Sequence, residues 1–191
     1  MTTHRVRAVV MGASAGAVEA LSVILPSLAE DYPLPIIVVV HLPPDKSSIM
    51  AKLLQMKCKM NVREVEDKEP IEPATVYIAP PDYHVLVEAT GRLSLSSEEP
   101  VFFSRPSIDV TFESAADVYG PELVGVVLTG ANSDGAAGLQ RIEAAGGITL
   151  VQVPDTAFAT AMPQAAITAC PTARVLSLNE IATFLSEVAA A

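Results

Sequence analysis

Arg5-Val6-Arg7-Ala8-Val9-Val10-Met11-Gly12-Ala13-Ser14-Ala15-Gly16 is a short β-branched run that breaks into a turn of small residues. Arg5–Met11 reads as a buried strand ending at Gly12. Gly16–Leu25 then sets Val18, Leu21 and Leu25 on one helical face. Pro26 is expected to end or kink that helix, since proline lacks the N–H and clashes with the preceding turn. Strand, tight turn and helix in that order form the opening unit of an α/β fold.

Working outward, Ile36–Val40 is an unbroken apolar run, the pattern of a parallel strand covered on both faces. Ser47–Lys57 reads as helical. The middle of the chain differs: Val62–Val65, Thr75–Ala79, Val85–Glu88 and Leu93–Ser96 are short strand-like pieces separated by prolines and Gly91. The last two read as a hairpin, so a small antiparallel flank is expected beside the main sheet. The helix–strand rhythm then returns with helix Ile108–Tyr119, strand Leu123–Leu128 and helix Ala136–Ala145. Gly146-Gly147 stops that helix. Strand Ile148–Val153, helix Met162–Ala169, strand Arg174–Leu176 and helix Asn179–Ala189 follow. The expected fold is a doubly wound α/β domain with a mainly parallel sheet and helices on both faces. One domain over residues 1–191 is expected, because no linker or repeat interrupts the pattern and the length suits a single unit.

Half of the 191 residues are hydrophobic and 18% are charged, which excludes a disordered chain. Aromatics are scarce and Trp is absent, so the core must be aliphatic. The net charge of −10 disfavours nucleic-acid binding, because an acidic surface repels phosphates. Cys58 and Cys170 lack the spacing of a zinc or redox site and read as reduced thiols. The longest apolar stretches are strand-sized, and no signal peptide opens the chain. A soluble, cytoplasmic protein without membrane insertion is expected.

In folds of this kind ligands sit at the carboxyl ends of the strands. Three such ends carry chemistry. Gly12-Ala13-Ser14-Ala15-Gly16 is G-x-S-x-G between a strand and a helix, the context in which small neighbours expose a serine hydroxyl as a nucleophile. The same turn also suits a helix cap or a phosphate cradle, although the dinucleotide and Walker fingerprints are absent. His41 ends the second strand before Leu42-Pro43-Pro44 and is placed for a general base or for a loop hydrogen bond. His84 and His4 are weaker candidates. Asp134, in Thr129-Gly130-Ala131-Asn132-Ser133-Asp134-Gly135, suits the cap of the following helix or the carboxylate that orients an imidazole. The order Ser14, His41, Asp134 departs from the Ser…Asp/Glu…His order of α/β-hydrolases.

These segments resemble the catalytic domain of the bacterial chemotaxis protein-glutamate methylesterase family, CheB. The resemblance runs from Met11–Gly16 through His41–Pro44, Val76–His84, Arg105-Pro106-Ser107-Ile108-Asp109 and Leu128–Ala136 to Ala161-Met162-Pro163. It implies a Ser14-His41-Asp134 triad and hydrolysis of glutamyl methyl esters on chemoreceptor cytoplasmic helices with release of methanol. It also implies deamidation of receptor glutamines and no metal or organic cofactor. Backbone amides near Ala15 and in the Gly130-Ala131 turn are expected to form an oxyanion hole. Arg105 is expected either to bind substrate or to form a structural ion pair.

Three positions depart from the family pattern. Ala17 replaces a second glycine, Ala15 stands where threonine is frequent, and Ala131 stands where methionine is frequent. Family members often carry an N-terminal receiver domain. None is expected in this chain, so its site is expected not to be occluded in cis, and any separate regulator is unknown. Two alternatives stay open: a triad hydrolase of another ester or amide, and a non-enzymatic α/β nucleotide-binding module.

Overall fold

The computed structural model describes residues 5–41 and 49–190. The opening strand, β1 (Ala8–Ala13), is buried along its whole length at the middle of a seven-stranded parallel sheet. After α1 (Ala17–Ile24) the chain returns as β2 (Ile36–Val40), which pairs with β1 from Val9↔Ile36 to Ala13↔Val40. Helix α2 (Ile49–Gln55), β3 (Asn61–Glu64) and β4 (Thr75–Ile78) follow, with β4 beside β2 and β3 outside it. Residues 47 and 48 of the expected second helix, like His4, lie outside the described residues.

The chain then makes β5 (His84–Glu88), β6 (Arg92–Ser96) and α3 (Ile108–Tyr119). It crosses to the other side of β1 as β7 (Leu123–Val127), α4 (Ala136–Ala144) and β8 (Ile148–Gln152). It closes with α5 (Ala161–Ala169), β9 (Arg174–Leu176) and α6 (Leu178–Ala190). The sheet order is β3-β4-β2-β1-β7-β8-β9, with every pairing parallel.

Because side chains alternate across a strand, the apolar strands feed two cores. Val9, Met11, Ile36 and Val38 pack with Leu21 and Ile24 of α1, Leu54 of α2 and Leu185 of α6. Val10, Ile37 and Val39 pack with Phe112 of α3, Leu139 and Ile142 of α4 and Met162 of α5. This two-sided burial explains the absence of polar alternation in β1, β2 and β7.

The four strand-like pieces in the middle of the chain divide. β3 and β4 extend the parallel sheet. β5 and β6 form a separate antiparallel hairpin that docks on α3, where the Thr111 hydroxyl donates to the Val85 carbonyl (2.8 Å) and the Val87 amide donates to Ser114 Oγ (3.0 Å).

The chain leaves β1 toward α1 on one face and leaves β7 toward α4 on the other. The turns after these neighbouring strands diverge there, opening the crevice in which such sheets hold ligands. Ser14 and the loop 129–135 both belong to it.

Candidate active site

Ser14 follows directly on β1 and is half-buried. Its amide donates to the Thr129 carbonyl (2.9 Å), and the Thr129 hydroxyl donates to the Ala15 carbonyl (2.7 Å). The turns after β1 and β7 are thereby laced together. Two glycines permit this packing. A Cβ on Gly12 would lie 2.4 Å from Ile108 at the start of α3. Gly16 has φ +85°, a conformation glycine adopts without the Cβ penalty, and a Cβ there would lie 2.6 Å from Phe158. Ala17 is already the first residue of α1, so the family's second glycine has no special conformation to supply.

His41 sits one residue past the Ala13↔Val40 pair, and its amide donates to the Ala13 carbonyl (3.2 Å). The sheet register therefore brings His41 alongside Ser14. His41 Nε2 lies 2.7 Å from Asp134 Oδ2, in a pair where the carboxylate is fully buried and the imidazole nearly so. With the proton on Nε2 donated to Asp134, Nδ1 is the accepting nitrogen of the ring. Asn132 Nδ2 faces that atom at 3.4 Å. Ser14 Oγ has no hydrogen bond among the described residues. Such contacts are often long in unliganded enzymes and tighten with substrate.

Asp134 does not cap the helix that follows it. Its carboxylate turns to the start of α3, where Oδ2 accepts from the Ile108 amide (2.7 Å) and Oδ1 accepts from the Asp109 amide (2.9 Å) and the Ser107 hydroxyl (3.0 Å). With His41, each oxygen has two donors. The N-terminus of α4 is instead held by Asp109 from α3, whose Oδ1 accepts from the amides of Gly135 (2.9 Å) and Gly138 (2.6 Å). The two helices thus exchange capping carboxylates. Gly135, at φ +94°, occupies the N-cap position of α4 and has no side chain with which to cap it.

The two acids respond differently to burial. At Asp134 desolvation pushes the pKa up, but the His41 hydrogen bond, the Asp109 and Ile108 amides and the imidazole charge outweigh it, and the pKa falls below its ordinary value. At Asp109 desolvation wins over the Gly138 and Gly135 amides, the Asp134 charge adds to it, and the pKa is pushed up to about 6.

The remaining candidates separate. His84 is buried behind the site, where Nδ1 accepts from the Ser107 amide (3.1 Å) and Nε2 donates to the Glu99 carbonyl (3.1 Å). It holds Ser107 rather than facing the cavity. Arg105 combines an ion pair with a cavity position. Its Nη2 lies 2.6 Å from Asp82 Oδ1 and its Nη1 donates to the Ser97 and Glu98 carbonyls, while it lines a cavity of about 190 Å³ with His41, Asp82, Pro100, Phe103, Ser104 and Pro106. The Gly130 amide donates to the Ala159 carbonyl (3.1 Å), so it is committed elsewhere. The amides of Ala15 and Ala131 have no such partner among the described residues.

Both cysteines are buried, and burial raises their pKa, at Cys170 to about 11, which disfavours the reactive thiolate. Among the described residues no group of three or more His, Cys, Asp or Glu is placed to hold a metal ion. A larger groove of about 510 Å³, lined by Arg5, Pro35, Tyr119 and Glu122, lies at the opposite end of the sheet, near the amino ends of β1, β2 and β7.

Sequence reasoning missed the working roles of Ser107, Asp109, Asn132 and Thr129. Ser107 and Asp109 precede and open α3, where any cap-forming residue has a local explanation. Ser107 does occupy the N-cap position, yet its hydroxyl is spent on Asp134. No one-dimensional signal reports that exchange.

A family model described as CheB methylesterase matches residues 9–185. The chain is 46% identical to a putative protein-glutamate methylesterase/protein-glutamine glutaminase of Leptospira interrogans, over 92% of this chain and 91% of that protein. It is 38% identical to the protein-glutamate methylesterase/protein-glutamine glutaminase of Symbiobacterium thermophilum, covering 92% of this chain and 49% of that longer protein. The crystal structure of the Thermotoga maritima CheB methylesterase catalytic domain superposes with a TM-score of 0.92 at 32% identity, covering 96% of this chain and 98% of that one. A doubly wound parallel sheet with helices on both faces defines an α/β domain, and its polar cluster lies at the strand ends where such domains hold ligands. Within that class, the chain belongs to the CheB methylesterase family.

Proposed function

We propose that residues 1–191 form one catalytic unit that hydrolyses glutamyl γ-methyl esters on the cytoplasmic helices of chemoreceptors. The observation that carries this reading is the buried His41–Asp134 pair at 2.7 Å, set beside Ser14 at the carboxyl ends of adjacent strands. In the proposed cycle the Ser14 hydroxyl attacks the ester carbonyl while His41 Nδ1 takes its proton. Asp134 keeps the other ring proton on Nε2 and stabilises the imidazolium. The amides of Ala15 and Ala131 are the proposed donors to the oxyanion. Donors preorganised in this way act only on charge that develops in the transition state. The imidazolium returns its proton to the methoxide, and methanol leaves. Water, deprotonated by His41, then cleaves the acyl-enzyme, freeing Ser14 and a glutamate carboxylate. An amide substrate follows the same path with ammonia as leaving group, which makes receptor glutamines the second substrate. The site of action is the cytoplasm. Among the described residues no helix is long and apolar enough to cross a membrane.

The test is methanol release from a methyl-esterified chemoreceptor fragment, with Ser14→Ala beside wild type. The substitution lowers the rate by roughly 10³-fold or more, as removal of a nucleophile does in serine hydrolases. Equal release by both proteins removes the assignment.

A further inference from the structure

The rim of the candidate site carries aromatic rings that the fold does not use. Three of the five phenylalanines in this chain are exposed: Phe102 at 56%, Phe103 at 104% and Phe158 at 83%. Single exposed apolar residues need no explanation, but exposed rings that are adjacent in the chain and border a functional cleft mark an interaction surface. Phe103 lines the same cavity as His41 and Arg105. Phe158 lies against Gly16, two residues past Ser14.

The Phe102-Phe103 pair is also presented at a conformational cost. Val101 and Ser104 exchange both backbone hydrogen bonds, at 3.0 and 2.8 Å, which closes a two-residue hairpin loop. Both loop residues have positive φ, +48° at Phe102 and +60° at Phe103. Tight hairpins of this kind favour Asn-Gly, whereas bulky residues at positive φ are outliers. Strain of this sort clusters at binding sites and runs counter to stability.

The occupant follows from size and charge. A cavity of about 190 Å³ is smaller than the roughly 300–1,000 Å³ clefts that engulf a drug-sized ligand. It holds one side chain, so the rest of a protein substrate must lie across the rim. The rim cation Arg105 is neutralised by Asp82. The rings are what remain for contact.

We propose that the Phe102-Phe103 turn is a docking clamp for the substrate protein, gripping apolar side chains that neighbour the esterified glutamate. This inference rests on the methylesterase reading and adds to it how a macromolecular ester is told from a small one.

The test is the double variant Phe102→Asn/Phe103→Gly, which supplies the residues that this turn favours. Its kcat/KM is measured on a methyl-esterified receptor fragment and on N-acetylglutamate γ-methyl ester. The ratio of protein to small ester falls about ten-fold relative to wild type, through KM for the protein, while the thermal midpoint stays or rises. Phe103→Ser alone lowers the ratio in the same direction and serves should the double variant misfold. An unchanged ratio with full receptor-ester turnover overturns the clamp and leaves the esterase standing. Receptor-ester turnover absent from wild type overturns both. A change of oligomeric state at an unchanged ratio assigns the turn to a second copy of the chain and also overturns the clamp.

Discussion

The N-termini of α3 and α4 are built alike and behave oppositely. Each is capped by a buried aspartate borrowed from the other's leading segment. Asp134 receives four donors on two oxygens, one of them the His41 imidazole. Asp109 receives two donors on one oxygen. Burial raises the pKa of both, and the donors win only at Asp134. The comparison teaches that burial pushes both acids up, and that hydrogen-bond donors together with the neighbouring charge decide which one still falls below its ordinary value. Here the better-solvated charge is the one that faces His41.

The sharpest way to break this comparison is to put the same amide at both seats. In Asp134→Asn the Nδ2 atom cannot accept, so two of four donors lose their partner and the imidazole loses its counter-charge. Turnover falls by about 10⁴-fold, the scale seen for a triad carboxylate made neutral. Stability falls by roughly 2–3 kcal/mol, because buried donors are left unpaired. Asp109→Asn keeps one carbonyl oxygen for both glycine amides, and turnover stays within a few-fold of wild type. Methanol release and urea unfolding, run on both proteins, check the asymmetry. Equal losses would mean that the seats are equivalent.

Asp109 also gives a sign to the pH dependence of stability. Its folded pKa is raised, so its contribution is fully present below the usual carboxylate range and is lost as pH rises to about 6. Asp134, with its pKa lowered, contributes stability above that range and loses it as the solution is acidified. Asp109→Asn removes the first dependence and leaves the second. The variant therefore gains on wild type between about pH 4 and 6 and holds that gain to pH 8. Urea midpoints across this range read the effect, and parallel curves for the two proteins would contradict it.

The strands and the three strand ends were legible because each is local. Ile36–Val40 and Ile108–Tyr119 were read to the residue, whereas β1 runs on to Ala13 rather than stopping at Met11, so that Ser14-Ala15-Gly16 alone make the turn before α1. The capping exchange was not legible. Asp134 stands one residue before the Gly135 N-cap of α4, so the local reading assigns it to α4. The close packing of Ile108 against both Gly12 and Gly135 brings the start of α3 within its reach. The Phe102-Phe103 turn was overlooked for the opposite reason: its residues contradict the turn they occupy, so turn propensity does not find it.

Ser107 sharpens the comparison at its finest scale. By position it is the N-cap of α3, and a serine-to-alanine change at a helix cap ordinarily costs about 1 kcal/mol through lost backbone capping. Here the hydroxyl makes no capping bond. It donates to Asp134 Oδ1, while the Asp134 carboxylate serves the Ile108 and Asp109 amides. Ser107→Ala therefore leaves α3 capped and takes one donor of four from the acid. The cost in stability near neutral pH is again about 1 kcal/mol, the typical worth of one hydrogen bond, so a stability measurement at one pH does not tell the two roles apart. Its pH dependence does. With one donor fewer, the pKa of Asp134 rises toward its ordinary value, so the variant's deficit in urea midpoint shrinks as the solution is acidified through the carboxylate range. A pure capping residue would cost the same at every pH.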